Sequence, residues 1–194
     1  MSLMERVYSV LLVSSSDKLN GVLCDMLPTA KFSPVNTVGN VSAAKRALAE
    51  REYDLVLINA PLPDEDGVRF SVDAGSAKNT VVLIMVRSER YDEVADIVTG
   101  AGVFLIPKPL SRPTVTLALG FLSSARERIR ATEKKVLSFE EKMNEIRLVN
   151  RAKWLLISEL KMTEPDAHRY VEKQAMDRCV PKRQVAEEII KTYG

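Results

Sequence analysis

Four short apolar runs, Val10-Leu11-Leu12-Val13, Leu55-Val56-Leu57-Ile58, Val81 to Val86 and Val103 to Ile106, set the tightest limit on how this chain can fold. Each is strand-length, rich in β-branched residues and nearly free of polar interruption, as a strand buried on both faces must be. The stretches between them, near Lys18 to Met26, Ser42 to Arg51, Val68 to Ala74 and Tyr91 to Thr99, read as amphipathic helices. Strands alternating with helices imply an open parallel sheet with helices on both faces. The working residues of such a sheet sit at the C-terminal ends of its strands.

At those ends stand Ser14-Ser15-Ser16 after the first run, Asn59 closing the second with Leu62-Pro63 and Asp66-Gly67 behind it, Val86-Arg87 closing the third, and Lys108-Pro109 after the last. In this order the segment resembles the receiver domain of two-component response regulators. The resemblance implies a five-stranded sheet over residues 1–122, with an aspartate as phosphoryl acceptor where Asn59 stands and acidic Mg²⁺ ligands where Ser14 and Ser15 stand. An amide is a poor nucleophile, and hydroxyls offer a hard cation no charge. Val86 occupies the position of the hydroxyl that would bind the phosphoryl group, and Asp17 is expected to cap the following helix rather than to hold metal. Ser14, Ser15, Asn59, Val86 and Lys108 are therefore expected to form a degenerate acceptor pocket that holds no metal and takes no phosphoryl group. Lys108 either organises that pocket by hydrogen bonds to Asn59 or the serines, or persists as a structural lysine.

From Pro113 to about Lys161 no further proline occurs and only Gly120 intervenes, which fits one continuous helix. Its apolar or small residues fall at alternating steps of 3 and 4: Val115, Ala118, Leu122, Ala125, Ile129, Thr132, Val136, Phe139, Met143 and Ile146. That heptad series implies a left-handed coiled coil, with Asn150 next in line. The first part should pack on the sheet. Beyond Arg126 the seam has no evident partner within the chain, so Ile129, Thr132, Val136, Phe139, Met143 and Ile146 are expected to pair two copies in a parallel homodimer. Folding back into an intramolecular bundle is the alternative. The 49 residues from Pro113 to Lys161 would span roughly 75 Å as a helix.

Two short helices should follow. Thr163 and Asp166 are placed to cap the first, with Ala167, Tyr170, Val171, Gln174 and Ala175 on its buried face. Pro181 opens the second, whose buried stripe is Val185, Ala186, Ile189 and Ile190. The elements Ala152-Lys153, Ala167-His168, Gln174-Ala175-Met176 and Ala186 fall in the order and spacing of the ANTAR output domain of bacterial antitermination regulators, which residues 140 to 192 resemble. Trp154 and His168 depart from the family pattern, which has a small glycine and an aromatic there. Trp154 is expected to anchor the long helix on the small ones, with base stacking as the alternative; Tyr170 is expected in the core. The resemblance implies binding to paired stem-loops in a nascent leader transcript, so that an overlapping terminator does not form.

The chain's net charge of +2 divides unevenly: residues 1–122 hold 12 Lys/Arg against 14 Asp/Glu, and residues 123–194 hold 16 against 12. The basic end is the candidate RNA face. Its candidate contacts are Arg151, Lys153, Arg169, Lys173, Arg178, Lys182 and Arg183. A helix-turn-helix DNA binder is the main rival, although Glu187-Glu188 would repel phosphates from the helix that would have to enter the groove. A protein-interaction module is the second rival. No nucleophile and base are paired by a recognisable motif, so an enzyme is not expected, and no cofactor is implied. Cys24 and Cys179 are too few and too far apart for a disulfide framework. No apolar run approaches membrane-spanning length and no signal-peptide pattern occurs, so a cytoplasmic setting without a membrane partner is expected. Met1-Ser2-Leu3 ahead of Met4 reads as an expression remnant. A protein or small-ligand partner of the first domain remains an open expectation. The expected fold is thus α/β: a doubly wound parallel five-stranded sheet, a coiled-coil linker over 123–150, and a small three-helix domain over 151–194.

Overall fold

A computed structural model describes residues 6–77 and 79–194 of the chain. The opening Met1-Ser2-Leu3 therefore lies outside the described residues. Two compact units are present, Met1–Ala131 and Thr132–Gly194.

The first unit is built from β1 (Tyr8–Val13), α1 (Asp17–Asp25), β2 (Phe32–Val38), α2 (Val41–Glu50), β3 (Leu55–Asn59), α3 (Val68–Gly75), β4 (Val81–Arg87), α4 (Tyr91–Val98), β5 (Phe104–Lys108) and the first part of α5 (Arg112–Leu160). The sheet order is β2-β1-β3-β4-β5, with every neighbour parallel. Side chains alternate across a strand, and the apolar runs use both sides. Leu11, Val13, Val56, Ile58, Val82 and Ile84 pack with Val41, Ala44, Phe70, Ala74, Val94 and Val98 of α2, α3 and α4. Val10, Leu12, Leu55, Leu57, Leu83 and Met85 face the opposite way, toward Leu23 of α1 and Val115, Leu119 and Leu122 of α5. The doubly wound parallel sheet expected from the sequence is thus the observed one.

Two local expectations change. Ser16, not Asp17, caps α1: its Oγ accepts the Leu19 amide at 3.4 Å, and Asp17 opens the helix behind it. Ile129 joins the residues packed against the second face of the sheet core, so at that position the seam finds a partner inside the chain.

The second unit comprises the later part of α5, α6 (Glu164–Asp177) and α7 (Lys182–Tyr193). Lys161 ends α5 in the left-handed region with φ 56°, and the Met162 amide reaches back to the Leu156 carbonyl at 3.4 Å. Thr163 then caps α6 by accepting the Asp166 amide at 3.4 Å. The core is small-residue packing: Ala152 and Leu156 of α5, Ala167, Val171 and Ala175 of α6, and Val185, Ala186 and Ile189 of α7.

Trp154 and Tyr170 are not in that core. Trp154 is 73% exposed and Tyr170 is 39% exposed. A helix turns about 100° per residue, so Trp154, two residues after the buried Ala152, points to the far side. Tyr170 sits one residue off the Ala167, Val171, Ala175 stripe.

Candidate functional site

The strand order reverses direction beside β1, and the C-terminal ends of β1 and β3 bring Ser14 and Asn59 together. Both are buried. Asn59 Nδ2 donates to Ser14 Oγ at 3.1 Å. From β5, Lys108 Nζ donates to Asn59 Oδ1 at 2.8 Å and also to the Ala60 carbonyl. Of the two roles open to Lys108, the geometry is that of the organiser. Its burial, and secondarily the charge of Arg87, pull the ammonium below the ordinary lysine value. Val86 is buried at the end of β4, and Ser15 is exposed.

Magnesium does not suit this donor set. The hydroxyl of Ser14 and the amide of Asn59 carry no charge, and the amide oxygen already receives an ammonium. Among the described residues, no group of three or more His, Cys, Asp or Glu side chains is placed to hold a metal ion.

The loop after β3 explains the motif residues that follow Asn59. Asp64 accepts the Val41 and Ser42 amides at the start of α2, each at 2.9 Å, and those bonds hold its carboxyl down at about 2. Asp66 accepts the Val68 amide at 3.0 Å, and Gly67 takes φ 85°, a left-handed turn that suits glycine. These carboxylates are committed to the backbone of α2 and α3.

In the second unit the predicted basic residues separate into two groups. Lys153 pairs with Glu164 at 3.3 Å, Lys182 with Glu172 at 2.5 Å and Arg183 with Glu187 at 2.8 Å. Arg178 grips Glu188 with both terminal nitrogens, at 2.5 and 2.7 Å, joining α6 to α7. Arg151, Arg169 and Lys173 are exposed on α5 and α6 and make no such pair among the described residues.

Lys153 and Lys182 nonetheless line one groove of about 410 Å³, together with Lys142, Glu145, Ile146, Val149, Asn150 and His168. His168 Nε2 lies 3.3 Å from Glu172, which also holds Lys182 and is kept below the usual carboxylate value by it. Lys142 and Asn150 were absent from the sequence-derived contact set. Their signal was available in the spacing: Lys142, Ile146, Asn150 and Lys153 recur at 4, 4 and 3 on one helical face. The groove sets three ammonium groups, an imidazole and an amide around an apolar floor, with the Glu145 carboxylate among them.

Of the seam residues beyond Ile129, Val136, Phe139, Met143 and Ile146 are all solvent-exposed on α5. Thr132 is exposed as well.

Residues 138–190 match the ANTAR domain family. Over 172 residues the chain is 27% identical to the transcriptional regulatory protein PdtaR of Mycobacterium tuberculosis, covering 89% of this chain and 84% of that protein. The transcriptional regulatory protein BasR of Escherichia coli is 30% identical over 93 residues, 47% of this chain and 36% of its own length. Among solved structures, the signal receiver domain of an HD domain-containing protein from Pseudomonas fluorescens Pf-5 is similar with TM-score 0.57 and 22% identity, covering 69% of this chain and 96% of that one. The response regulatory domain of mrkE from Klebsiella pneumoniae is similar with TM-score 0.55 and 17% identity, covering 62% and 98%. The chain thus joins a receiver-type α/β fold to a C-terminal segment that matches the ANTAR domain family.

Proposed function

We propose that this protein is a transcription antitermination regulator whose C-terminal helices bind stem-loops in nascent leader RNA and so keep a terminator from forming. The observation that carries the reading is the groove within the ANTAR-matched unit, where Lys142, Lys153 and Lys182 converge with Asn150 and His168. It presents cations with a hydrogen-bonding amide and an aromatic ring, the mixture that unpaired RNA loops require. No bond need be made or broken: binding one RNA fold more tightly than its competitor shifts the population.

The receiver-like unit accepts no phosphoryl group in this reading, because Asn59 is an amide engaged by Ser14 and Lys108. Its input is instead a protein or a small ligand, for which a cleft of about 640 Å³ beside Lys108, floored by Leu19 and Val22, is available. The exposed seam Val136, Phe139, Met143 and Ile146 pairs two copies, and two linked output domains suit two hairpins by raising effective concentration. The protein acts in the cytoplasm without a membrane contact; no helix among the described residues is long and apolar enough to cross a bilayer.

The DNA-binding alternative loses ground at α7. Glu187 and Glu188 stand on the helix that would have to enter a groove, where their carboxylates would meet the phosphates.

Gel-shift titration of the purified protein on tandem hairpin leaders and on duplex DNA tests the reading. Selective retention of the hairpins is expected, weakened when Lys182 and Arg183 are replaced by alanine. Preference for duplex DNA, or RNA binding indifferent to the hairpin loops, would refute it.

A further inference from the structure

Trp154 is the only tryptophan in the chain, and its indole stands in water at 73% exposure on a helix whose flanking positions Ala152 and Leu156 are completely buried. An aromatic of that size contributes most when desolvated, and nothing within the second unit desolvates it. Residues three and four apart on a helix are neighbours, so Arg147, Arg151 and Trp154 form one exposed face. Neither arginine has an ion-pair partner among the described residues. The exposed Asn150 adjoins them one turn before Trp154.

Two occupants compete for this face: a second copy of the chain and a polyanion with unstacked rings. The heptad seam argues against the second copy. Continued past Asn150 in steps of 3 and 4, it meets Lys153, which is paired with Glu164, and Ile157, which packs on the small-helix core. Guanidinium groups interleaved with an exposed indole are instead the arrangement that tracks a single-stranded nucleic acid backbone while stacking its bases.

We propose that Trp154 is a stacking platform for an unpaired base of the bound RNA loop, with Arg147 and Arg151 on the flanking phosphates. The proposal rests on the RNA-binding reading above and adds a contact outside the lysine-lined groove. Trp154 is a binding residue here, not an anchor of the fold.

The lone indole makes a direct test. Intrinsic fluorescence of the full-length protein is followed while titrating an RNA hairpin with an unpaired loop, the same stem closed by an abasic spacer, and buffer alone over a protein dilution series. Gel shift measures binding in parallel. Expected are quenching by the looped hairpin and little by the abasic one. Trp154→Leu should weaken binding to the looped hairpin at least about fivefold, with unchanged circular dichroism, and Trp154→Phe should recover most of the loss. Retained hairpin binding with no emission change, or with Trp154→Leu equal to the parent, would overturn the platform and leave the RNA-binding reading intact. Emission that shifts on dilution without RNA would assign the face to a second copy and overturn it as well. Absence of binding to any hairpin by gel shift would remove the functional reading and this contact with it.

Discussion

Arg126 of α5 donates from Nε to Oδ1 of Asp54 at 2.8 Å, and the pair ties α5 to the start of β3. Arg130 reaches the same oxygen at 2.7 Å, while Asp54 Oδ2 accepts the Ser9 amide at 2.9 Å. The Arg126 and Asp54 side chains are 8% and 12% exposed. Breaking such a shielded pair leaves an uncompensated charge and typically costs about 3 kcal/mol or more. Asp54→Ala or Arg126→Ala should therefore lower the stability of the first unit by about 3 kcal/mol in urea denaturation, followed by the tyrosines there.

The same carboxylate makes the first unit acid-sensitive. Burial works to raise the Asp54 pKa, but the Ser9 amide and the two arginines outweigh it, leaving the group below the ordinary 3.8. A carboxyl depressed on folding stabilises the native state above its unfolded pKa, and that contribution is lost as pH falls through the folded value. Stability of the first unit should thus decline as pH falls below 3.8, and Asp54→Asn should flatten the decline. Asp64, held by the α2 amides, should titrate near 2 in a carboxyl-detected NMR experiment; a midpoint at the ordinary carboxylate value would refute the cap.

How far the sequence revealed this molecule depends on how local each signal was. β1, β3, β4 and α5 were legible because their periodicity is complete within one segment. β2 was not: in Phe32–Val38 only Phe32 is buried, and Pro34 sits inside an edge strand that has no apolar run to announce it. The Asp54–Arg126 pair was invisible because 72 residues separate its members. At Asn59 and Lys108 the residues were readable by type, but their mutual hydrogen bond needed coordinates. Trp154 was misplaced by assuming that a tryptophan seeks a core, although its phase relative to Ala152 and Leu156 already pointed it outward.

The acceptor pocket can be tested by restoring it in stages. The parent protein should take no label from acetyl phosphate with Mg²⁺. Asn59→Asp alone should also stay unlabelled, since it adds a nucleophile beside Lys108 but no metal ligands. Adding Ser14→Asp and Ser15→Asp should bring Mg²⁺-dependent, acid-stable and base-labile label. Label on the parent would show that the pocket is not degenerate.

The exposed seam predicts assembly. Phe139 and Ile146 are 66% and 53% exposed on α5, so charged replacements there should not disturb either core. Sedimentation equilibrium should find a dimer for the parent and a monomer for Phe139→Glu with Ile146→Lys, helicity being retained at low temperature. A parent that stays monomeric at high micromolar concentration would remove the coil from the account.

The contrast between Arg178, clamped by both oxygens of Glu188, and the unclamped Arg169 and Lys173 predicts which of these three residues RNA feels. Arg169 and Lys173 have no carboxylate partner among the described residues, whereas Arg178 is held by both oxygens of Glu188. A cation that neutralises a phosphate releases counterions, and its loss reduces the slope of log affinity against log salt by roughly 0.7–0.9. Arg169→Ala and Lys173→Ala should each show that reduction in hairpin binding measured across a salt series. Arg178→Ala should leave the slope nearly unchanged and instead loosen α7 on α6, seen as faster amide exchange around Glu188. If Arg178→Ala alters the slope while Arg169→Ala does not, the RNA runs along the α6–α7 junction and the Arg178–Glu188 pair opens to receive it.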